Sequence, residues 1–172
     1  MRFKAAKNLR RTLGATIGAL LVSLALPASP AAAVDLSRWD LLVNVNTSSK
    51  CLEVGGWSTA NGAGVNQWDC HTGANQEWAG FEYGSGYLIY NRHSGKCLEV
   101  PGWSTANGAQ IGQWDCHGGA NQQWITRYAG ERLVTLVNVN SGKCLEIGGW
   151  RTDNGAPATQ WDCHAGLNQL WY

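Results

Sequence analysis

A motif that occurs three times constrains this chain more than any other sequence feature. Each copy contains Cys-Leu-Glu followed by Val or Ile, then Trp-Asp-Cys-His, then Asn-Gln-x-Trp. The copies begin at Cys51, Cys97 and Cys144, which are 46 and 47 residues apart, and in each copy the second cysteine follows the first by 19 residues. A fixed period of this length indicates that one supersecondary unit is used three times. Any functional site within the motif is therefore expected in triplicate.

Residues 1–33 are predicted to be a secretory signal peptide that is not part of the fold. Five Lys and Arg residues begin the chain, an apolar segment runs from Leu13 to Leu26, and a small-residue stretch ends in Ala-Ala-Ala at Ala33. The apolar segment has about 14 residues, whereas a membrane-spanning helix needs roughly 20. We expect cleavage near Ala33 and a soluble, secreted, extracellular protein with no membrane partner. A retained N-terminal anchor is the alternative.

The charge of the remaining chain argues against nucleic acid as a partner. The leader contains five of the 13 Lys and Arg residues and no acidic residue, so eight basic side chains face twelve acidic ones, a net charge of −4. A nucleic-acid-binding protein needs a basic face, and the sequence has none.

The six cysteines are predicted to form one disulfide within each copy. An exported chain with few Leu, Ile and Phe residues has a modest aliphatic core, and disulfides compensate for it. Each bridge would close a loop of about 20 residues, worth roughly 3 kcal/mol in the chain-entropy model. A metal site is not predicted, since one His per copy is not a zinc set, and no cofactor is expected. The predicted pairs are Cys51–Cys70, Cys97–Cys116 and Cys144–Cys163.

The pattern within each copy predicts an all-β fold. Leu42–Val45, Leu88–Tyr90 and Leu136–Val139 alternate as strands do, a Ser- or Gly-containing turn follows each, and Asn-Gly marks a later turn. Four short strands per copy give twelve, and three such copies around a pseudo-threefold axis form a β-trefoil. A propeller typically needs four to eight blades, and the Gly-rich composition excludes helical repeats. We predict a lead-in at 34–41 and a trefoil at 42–172, with repeats at about 42–87, 88–134 and 135–172.

These residues resemble the ricin-B-type (R-type) lectins, most closely the family-13 carbohydrate-binding modules of actinomycetes. The resemblance is carried by three Gln-x-Trp motifs in register with Cys-Leu-acid-Val and Trp-Asp-Cys, and it covers residues 42–172. It implies a sugar site in each copy, consisting of an acid, a stacking tryptophan, a histidine, an asparagine and a glutamine. The three sets are Glu53, Trp68, His71, Asn75 and Gln76; Glu99, Trp114, His117, Asn121 and Gln122; and Glu146, Trp161, His164, Asn168 and Gln169.

The chemistry of a sugar needs these residue types. The C–H groups on one face of a pyranose stack on an electron-rich indole ring, and a carboxylate accepts hydrogen bonds from two neighbouring hydroxyls while Asn both accepts and donates. The family usually has Asp where this chain has Glu, which moves the carboxylate outward by about one bond. The aspartates of Trp-Asp-Cys are therefore alternative acids, although a turn-capping role is also open. They are Asp69, Asp115 and Asp162.

The remaining tryptophans divide into two sets. Those that close Gln-x-Trp are predicted to pack in the core, namely Trp78, Trp124 and Trp171. Those in the Gly-rich loop could form a second wall of the sugar site or cover the barrel rim, and both roles are open. They are Trp57, Trp103 and Trp150.

The sequence does not indicate an enzyme. Glu and Asp occur in pairs, as in glycosidases, but a catalytic centre normally occurs once, and no Ser-His-Asp order, phosphate loop or free thiol is present. We expect a monomeric, multivalent lectin that binds galactose-type or L-rhamnose-type sugars and agglutinates cells. A xylan- or polysaccharide-binding module without activity on cells, and a trefoil protease inhibitor, are the alternatives. The third site is expected to differ most, because its loop contains Arg151, Asp153 and Pro157.

Overall fold

The described residues form short β-strands joined by loops and single 3₁₀ turns. The structure is a computed structural model that describes residues 36–130 and 132–172, so the predicted signal peptide at 1–33 lies outside the described residues. The strands of the described residues are β1 (Asp40–Leu41), β2 (Lys50–Val54), β3 (Val65–Asp69), β4 (Glu77–Tyr83), β5 (Gly86–Asn91), β6 (Cys97–Glu99), β7 (Gly112–Trp114), β8 (Gln123–Tyr128), β9 (Val134–Asn138), β10 (Cys144–Ile147) and β11 (Ala158–Trp161).

Two kinds of 3₁₀ turn recur in each repeat, one after the Cys-Leu-Glu strand and one at the Asn-Gln motif. No α-helix occurs in the described ranges, and none of their helical segments is long or apolar enough to cross a membrane. The all-β prediction is confirmed. The turns are Gly55–Trp57, Ala74–Gln76, Pro101–Trp103, Ala120–Gln122, Gly148–Trp150 and Leu167–Gln169.

Every named strand pair is antiparallel, and one hairpin per repeat carries the Cys-Leu-Glu segment. β2 pairs with β3, β6 with β7, and β10 with β11. The hairpins β4–β5 and β8–β9 connect one repeat to the next. In the first hairpin Cys51 lies opposite Trp68 and Glu53 lies opposite Asn66. The acid and the exposed tryptophan therefore share one face of the hairpin, since residues two apart on a strand point the same way.

The structure has eleven strands in its described residues, whereas the sequence predicts twelve. The predicted strand Leu42–Val45 is instead β1 at Asp40–Leu41 followed by isolated bridges at Val43 and Asn44. Val43 bridges to Cys51 and Asn44 bridges to Trp171, so the partner changes between adjacent residues. A continuous ladder does not form at 42–45 for this reason. The strand missing from the predicted twelve is the fourth of the third repeat, where Trp171 makes only isolated bridges to Asn44 and Val134.

The tryptophans of Gln-x-Trp are at the centre of the core, as predicted. Trp78, Trp124 and Trp171 have no exposed surface. Each donates from Nε1 to the main-chain oxygen of the leucine that follows the first cysteine of its repeat, at 2.9 Å to Leu52, 3.0 Å to Leu98 and 3.3 Å to Leu145. The indole N–H is thus satisfied within the core, as a buried polar group must be.

The three predicted disulfides are present. Cys51–Cys70, Cys97–Cys116 and Cys144–Cys163 have Cα–Cα distances of 5.0, 5.1 and 5.1 Å, within the usual range. The prediction of a β-trefoil with one disulfide in each repeat is confirmed. The bridges join the Cys-Leu-Glu strand to the segment just after the exposed tryptophan, and so fix the two sides of the hairpin that carries the acid.

Candidate functional site

A pocket lies on the outer face of the β2–β3 hairpin and a matching pocket lies on β10–β11. The first has a volume of about 280 Å³ and the second about 250 Å³. The structure thus brings together the acid, the tryptophan and the histidine that the sequence predicts in these two repeats. The linings are Glu53, Gly56, Trp57, Trp68, His71 and Asn75 in the first, and Glu146, Gly149, Trp150, Trp161 and His164 in the second.

The glutamate at the base of each site is buried, and its Oε2 atom is held in all three repeats. Glu53, Glu99 and Glu146 are only 5, 5 and 4% exposed. The Gln-x-Trp glutamine donates to the Oε2 atom of each, at 3.1 Å from Gln76, 2.7 Å from Gln122 and 3.1 Å from Gln169. The carboxylate is therefore oriented by a fixed amide donor, which is what precise recognition of a hydroxyl requires.

The same glutamine also fixes the histidine. The main-chain N–H groups of His71, His117 and His164 each donate to the Oε1 atom of Gln76, Gln122 or Gln169 at 2.9 Å. One buried amide thus sets the position of both the acid and the histidine segment.

The histidine ring presents an N–H donor beside the acid. Nδ1 of His71, His117 and His164 accepts a hydrogen bond from the main-chain N–H two residues later, at 3.0, 3.1 and 3.0 Å. Since a main-chain N–H can only donate, Nδ1 is unprotonated and a neutral ring carries its proton on Nε2. Nε2 lies 3.7, 3.2 and 3.6 Å from Oε2 of the glutamate in the three repeats.

The motif asparagine leaves an acceptor without a partner in every repeat. The Nδ2 atoms of Asn75, Asn121 and Asn168 donate to the main-chain oxygen after the glutamate, at 3.3, 3.1 and 3.2 Å. Their Oδ1 atoms are buried, and within residues 36–130 and 132–172 they have no hydrogen-bond partner. A buried acceptor without a partner thus recurs at the same position in all three repeats.

The loop tryptophans, whose role the sequence leaves open, lie at the sites. Trp57, Trp103 and Trp150 are about half exposed. They stack on the site histidines with ring-centroid distances of 6.1, 6.3 and 5.9 Å and interplanar angles of 11, 24 and 20°. Their φ angles of 56, 55 and 57° lie in the left-handed region, which is unusual for a bulky residue and costs strain. Backbone strain repeated three times is typical of functional positions.

A glycine beneath each loop tryptophan allows this stacking. A Cβ atom at Gly73 would lie 2.7 Å from Cη2 of Trp57 and 2.6 Å from the ring of His71. Gly119 and Gly166 are enclosed in the same way by their own Trp and His rings. Only a residue without a side chain fits there, so the glycine is part of the site although it makes no polar contact.

The aspartates of Trp-Asp-Cys do not line either pocket. Asp69 accepts from Lys50 at 2.6 Å through Oδ1 and from Asn154 at 2.8 Å through Oδ2. These hydrogen bonds hold the pKa of the Asp69 carboxyl below its ordinary value, and the pKa values of Asp115 and Asp162 are lowered by equivalent partners. Both carboxylate oxygens are thus occupied, which favours the glutamates as the acids of the sites.

The residue opposite the glutamate differs among the repeats and was not singled out by the sequence. Asn66 lies opposite Glu53, Gly112 opposite Glu99 and Thr159 opposite Glu146. Thr159 Oγ1 donates to Oε1 of Glu146 at 3.3 Å. In the described residues this is the one protein hydrogen bond to an Oε1 atom of the three glutamates. The signal in the sequence is the variable residue two before the exposed tryptophan, in an otherwise constant motif.

Comparisons with known proteins agree with the fold and the repeat. The chain matches the family described as "Ricin-type beta-trefoil lectin domain-like" over residues 37–114, 81–161 and 120–172. The designed threefold-symmetric protein ThreeFoil superposes with a TM-score of 0.75 at 38% identity, covering 77% of this chain and 95% of that one. Part of an exo-β-1,3-galactanase from Clostridium thermocellum superposes with a TM-score of 0.75 at 31% identity, covering 81% of this chain but 30% of the other.

A fungal lectin shares the fold at lower identity. The ricin B-like lectin of Macrolepiota procera, solved in complex with lactose, has a TM-score of 0.67 at 20% identity and covers 78% of this chain and 93% of its own. At this identity the likeness concerns the fold alone.

Proposed function

We propose that this chain, which belongs to the ricin-type β-trefoil lectin domain-like family, is a multivalent lectin with one sugar site in each repeat. The observation that carries the proposal is the repeated pairing of a buried glutamate, anchored at Oε2 by a glutamine, with two half-exposed tryptophans and a histidine N–H donor. We also infer that, within this family, the chain resembles the family-13 carbohydrate-binding modules with their Gln-x-Trp repeats.

A sugar satisfies what each site lacks. Its hydroxyl groups can donate to the glutamate Oε1 atom and can accept from the histidine Nε2–H, which in the second repeat lies 3.2 Å from Glu99 Oε2 and must exchange that partner for the sugar. Its apolar face can stack on Trp68 in the first site or on the equivalent indole in the others. Such a combination of directional polar groups and aromatic faces is typical of pockets that recognise small polar ligands.

We propose galactose-type sugars as the first ligands to test and L-rhamnose-type sugars as the second. Both sugars contain one axial hydroxyl next to one equatorial hydroxyl, and a single carboxylate can accept hydrogen bonds from both. The M. procera lectin was solved with lactose, and the Clostridium protein is named a β-1,3-galactanase. These names support, for this chain, a galactose-containing ligand.

We further propose that the protein is secreted, monomeric and able to agglutinate cells. Three sites on one monomer can bind glycans on different surfaces, and linked sites gain avidity over a single site. We propose that the chain is not an enzyme and does not bind nucleic acid or membranes, because its polar sites occur in triplicate and its charge after residue 33 is acidic. We propose no cofactor for sugar binding or agglutination.

The experiment is a glycan array together with red-cell agglutination, inhibited in turn by free galactose, L-rhamnose, xylose and mannose. Inhibition by galactose or L-rhamnose at the lowest concentration is the expected result. A folded protein, verified by its melting curve, that is blank in both assays would sink the lectin proposal. Binding to insoluble xylan without agglutination would instead favour the polysaccharide-binding module.

The protease-inhibitor alternative is separated by single substitutions. An inhibitor uses one distinctive loop, so inhibition would depend on one repeat at most. For a lectin, Trp68→Ala, Trp114→Ala and Trp161→Ala should each remove one site and lower the valency measured by titration calorimetry.

A further inference from the structure

The Asn-Gly turn of every repeat is fastened to the next repeat by the same pair of residues, which we name the Asn–Asp clasp. The asparagine donates from Nδ2 to Oδ2 of the aspartate in Trp-Asp-Cys, and the main-chain N–H of that aspartate donates back to the asparagine Oδ1. The clasps are Asn61–Asp115 (2.7 and 3.0 Å), Asn107–Asp162 (2.8 and 3.1 Å) and Asn154–Asp69 (2.8 and 3.0 Å).

The clasp holds its turn against the exposed tryptophan of the neighbouring site. A Cβ atom on Gly155, which follows Asn154, would lie 3.8 Å from Cζ3 of Trp68. A Cβ atom on Gly62 would likewise lie 3.6 Å from Cζ3 of Trp114, and one on Gly108 would lie 3.6 Å from Cζ3 of Trp161. The ring on which a sugar would stack is therefore supported by a turn from another repeat.

A buried glutamine reinforces the same contact. The side-chain Nε2 of Gln67 in the first repeat donates to the main-chain oxygens of Arg151 and Asp153 at 3.0 and 3.1 Å. The main-chain oxygen of Gln67 accepts from the main-chain N–H of Gly155 at 2.8 Å. Gln113 and Gln160 make the same contacts with the loops of the first and second repeats. Each of these glutamines directly precedes a site tryptophan, so the loop fixes the strand end that carries the ring.

The other end of the same loop serves a different site. The loop of the first repeat begins with Trp57, which lines the first pocket, and ends with Asn61 and Gly62, which adjoin Trp114 of the second. A side chain of the next repeat contacts the main-chain oxygen of each loop tryptophan. Nε2 of His93 lies 3.1 Å from the oxygen of Trp57. Nδ2 of Asn140 donates to the oxygen of Trp103 at 3.1 Å, and Nδ2 of Asn46 donates to that of Trp150 at 3.4 Å.

We propose that each Asn–Asp clasp is a positioning device shared by two neighbouring sugar sites. It orients the loop tryptophan of its own repeat and the stacking tryptophan of the next, so no site is completed by one repeat alone. This inference rests on the proposed sugar binding. It makes Asn61, Asn107 and Asn154 functional positions, although none of them lines a pocket.

The test uses a reporter in which only the first site binds. His117→Ala with His164→Ala removes the Nε2–H donor from the second and third sites and leaves all three clasps intact. Lactose binding by titration calorimetry, with a stoichiometry of one, verifies the reporter, and Trp114→Ala with Trp161→Ala is the replacement pair if the first reporter does not fold. Wild-type protein that binds no lactose overturns the proposed galactose-type function and the inference that rests on it. If the wild type binds lactose and a folded first-site reporter does not, the second-site reporter is used, in which Asn61 and Asn107 are the sensitive positions.

The clasps are then opened one at a time in the reporter. Asn154→Ala, behind Trp68, and Asn61→Ala, on the Trp57 loop, should each weaken lactose binding about threefold to tenfold, the effect of one net hydrogen bond. Asn107→Ala opens the clasp between the two silenced sites and is the matched control. Its effect should stay within about twofold, as for distant, independent positions.

The pattern distinguishes positioning from stability, because all three variants open an Asn–Asp clasp. Asn61→Ala and Asn107→Ala should lower Tm by similar amounts, and Asn154→Ala by somewhat more, since it also removes the hydrogen bond from Lys50 at 2.8 Å. A reporter for the second site should shift the pattern, with Asn61 and Asn107 now sensitive and Asn154 insensitive. Equal weakening by all three variants, in proportion to Tm, would overturn the proposal. So would unchanged lactose affinity in all three.

Discussion

Asn154 in the third repeat and Asp69 in the first hold each other by two hydrogen bonds across a sequence separation of 85 residues. Lys50 donates to both side chains, at 2.6 Å to Asp69 and 2.8 Å to Asn154. With the equivalent pairs of the other repeats, this contact closes a ring of three around the pseudo-threefold axis. The last repeat is thereby fastened to the first in the same way as neighbours in sequence are.

The ring should make the fold sensitive to acid. The pKa values of Asp69, Asp115 and Asp162 are lowered from 3.8, chiefly by a lysine hydrogen bond for the first two and by the Asn107 hydrogen bond for Asp162, with the other of the two hydrogen bonds next in each case. A group with a lowered pKa in the folded state contributes its full stability above the unfolded value and loses it as pH falls through the folded value. We expect Tm to be insensitive to these groups above about pH 4 and to fall below it.

The measurement is a series of melting curves between pH 2 and 7 for the wild type and the triple Asp→Asn variant at these positions. The variant should start from a lower Tm at neutral pH and lose less of it on acidification. Glu82→Gln, in an exposed part of β4 outside the clasps, is the control and should follow the wild type. Parallel curves for the triple variant and the wild type would contradict the prediction.

Two tryptophans of the second repeat should separate folding from binding. Trp124→Phe removes the Nε1–H that Leu98 O accepts at 3.0 Å, which leaves a buried carbonyl without a partner at a cost of about 1–3 kcal/mol. The free energy of unfolding should fall by at least that amount while the number of sugar sites stays the same. Urea denaturation and titration calorimetry measure the two quantities.

Trp114→Ala should show the opposite behaviour, because the ring is 41% exposed. It should lose one sugar site, with a cost of about 2 kcal/mol or more in that site's binding free energy, as expected for a tryptophan anchor. Its free energy of unfolding should fall by less than that of a Trp124→Ala variant, because the Trp124 ring has no exposed surface. A Trp114→Ala protein with unaltered valency and affinity would show that this ring is not a stacking platform.

Much of the fold could be predicted because each requirement lies within one copy of the motif. The disulfide pairs, the buried Trp78 and its equivalents, and the hairpin of β2 and β3 all involve residues close together in sequence. The threefold period then extends each local inference to the whole chain. The predicted site residues come together for the same reason, since Glu53, His71 and Gln76 belong to one copy.

What the sequence could not provide lies between copies. The partner of Asp115 is Asn61, 54 residues earlier, and an internal repeat offers three equivalent asparagines without saying which one pairs. The position of Trp57 depended on a left-handed backbone and on stacking with His71, neither of which has a residue pattern of its own. Contacts between repeats and strained loop conformations therefore had to come from the structure.

The length of the glutamate side chain, which departs from the family's usual aspartate, leads to a further prediction. Glu53→Asp would draw the carboxylate back from Gln76 Nε2, now at 3.1 Å. One of the two buried Nε2–H groups would then be unpaired, while the other still donates to the Asp69 main-chain oxygen at 3.0 Å. We expect the free energy of unfolding to fall by about 1–3 kcal/mol and the first site to lose affinity. Denaturation and single-site titration test this, with Glu82→Asp on β4 as the exposed control. An affinity gain would mean that the shorter acid suits the ligand better.

Thr159 should make the third site the weakest of the three. Its hydroxyl donates to Oε1 of Glu146 at 3.3 Å, so this oxygen must exchange a protein donor for a sugar hydroxyl when ligand binds. Gly112, opposite Glu99, has no side chain that could compete in this way. Thr159→Val keeps the shape and removes the donor, and we expect the affinity of a third-site reporter to rise by about threefold to tenfold. Thr159→Ser, which keeps the hydroxyl donor in the same reporter, is the control and should leave the affinity near that of the reporter. A fall in affinity for Thr159→Val would show that the hydroxyl positions the acid rather than competing for it.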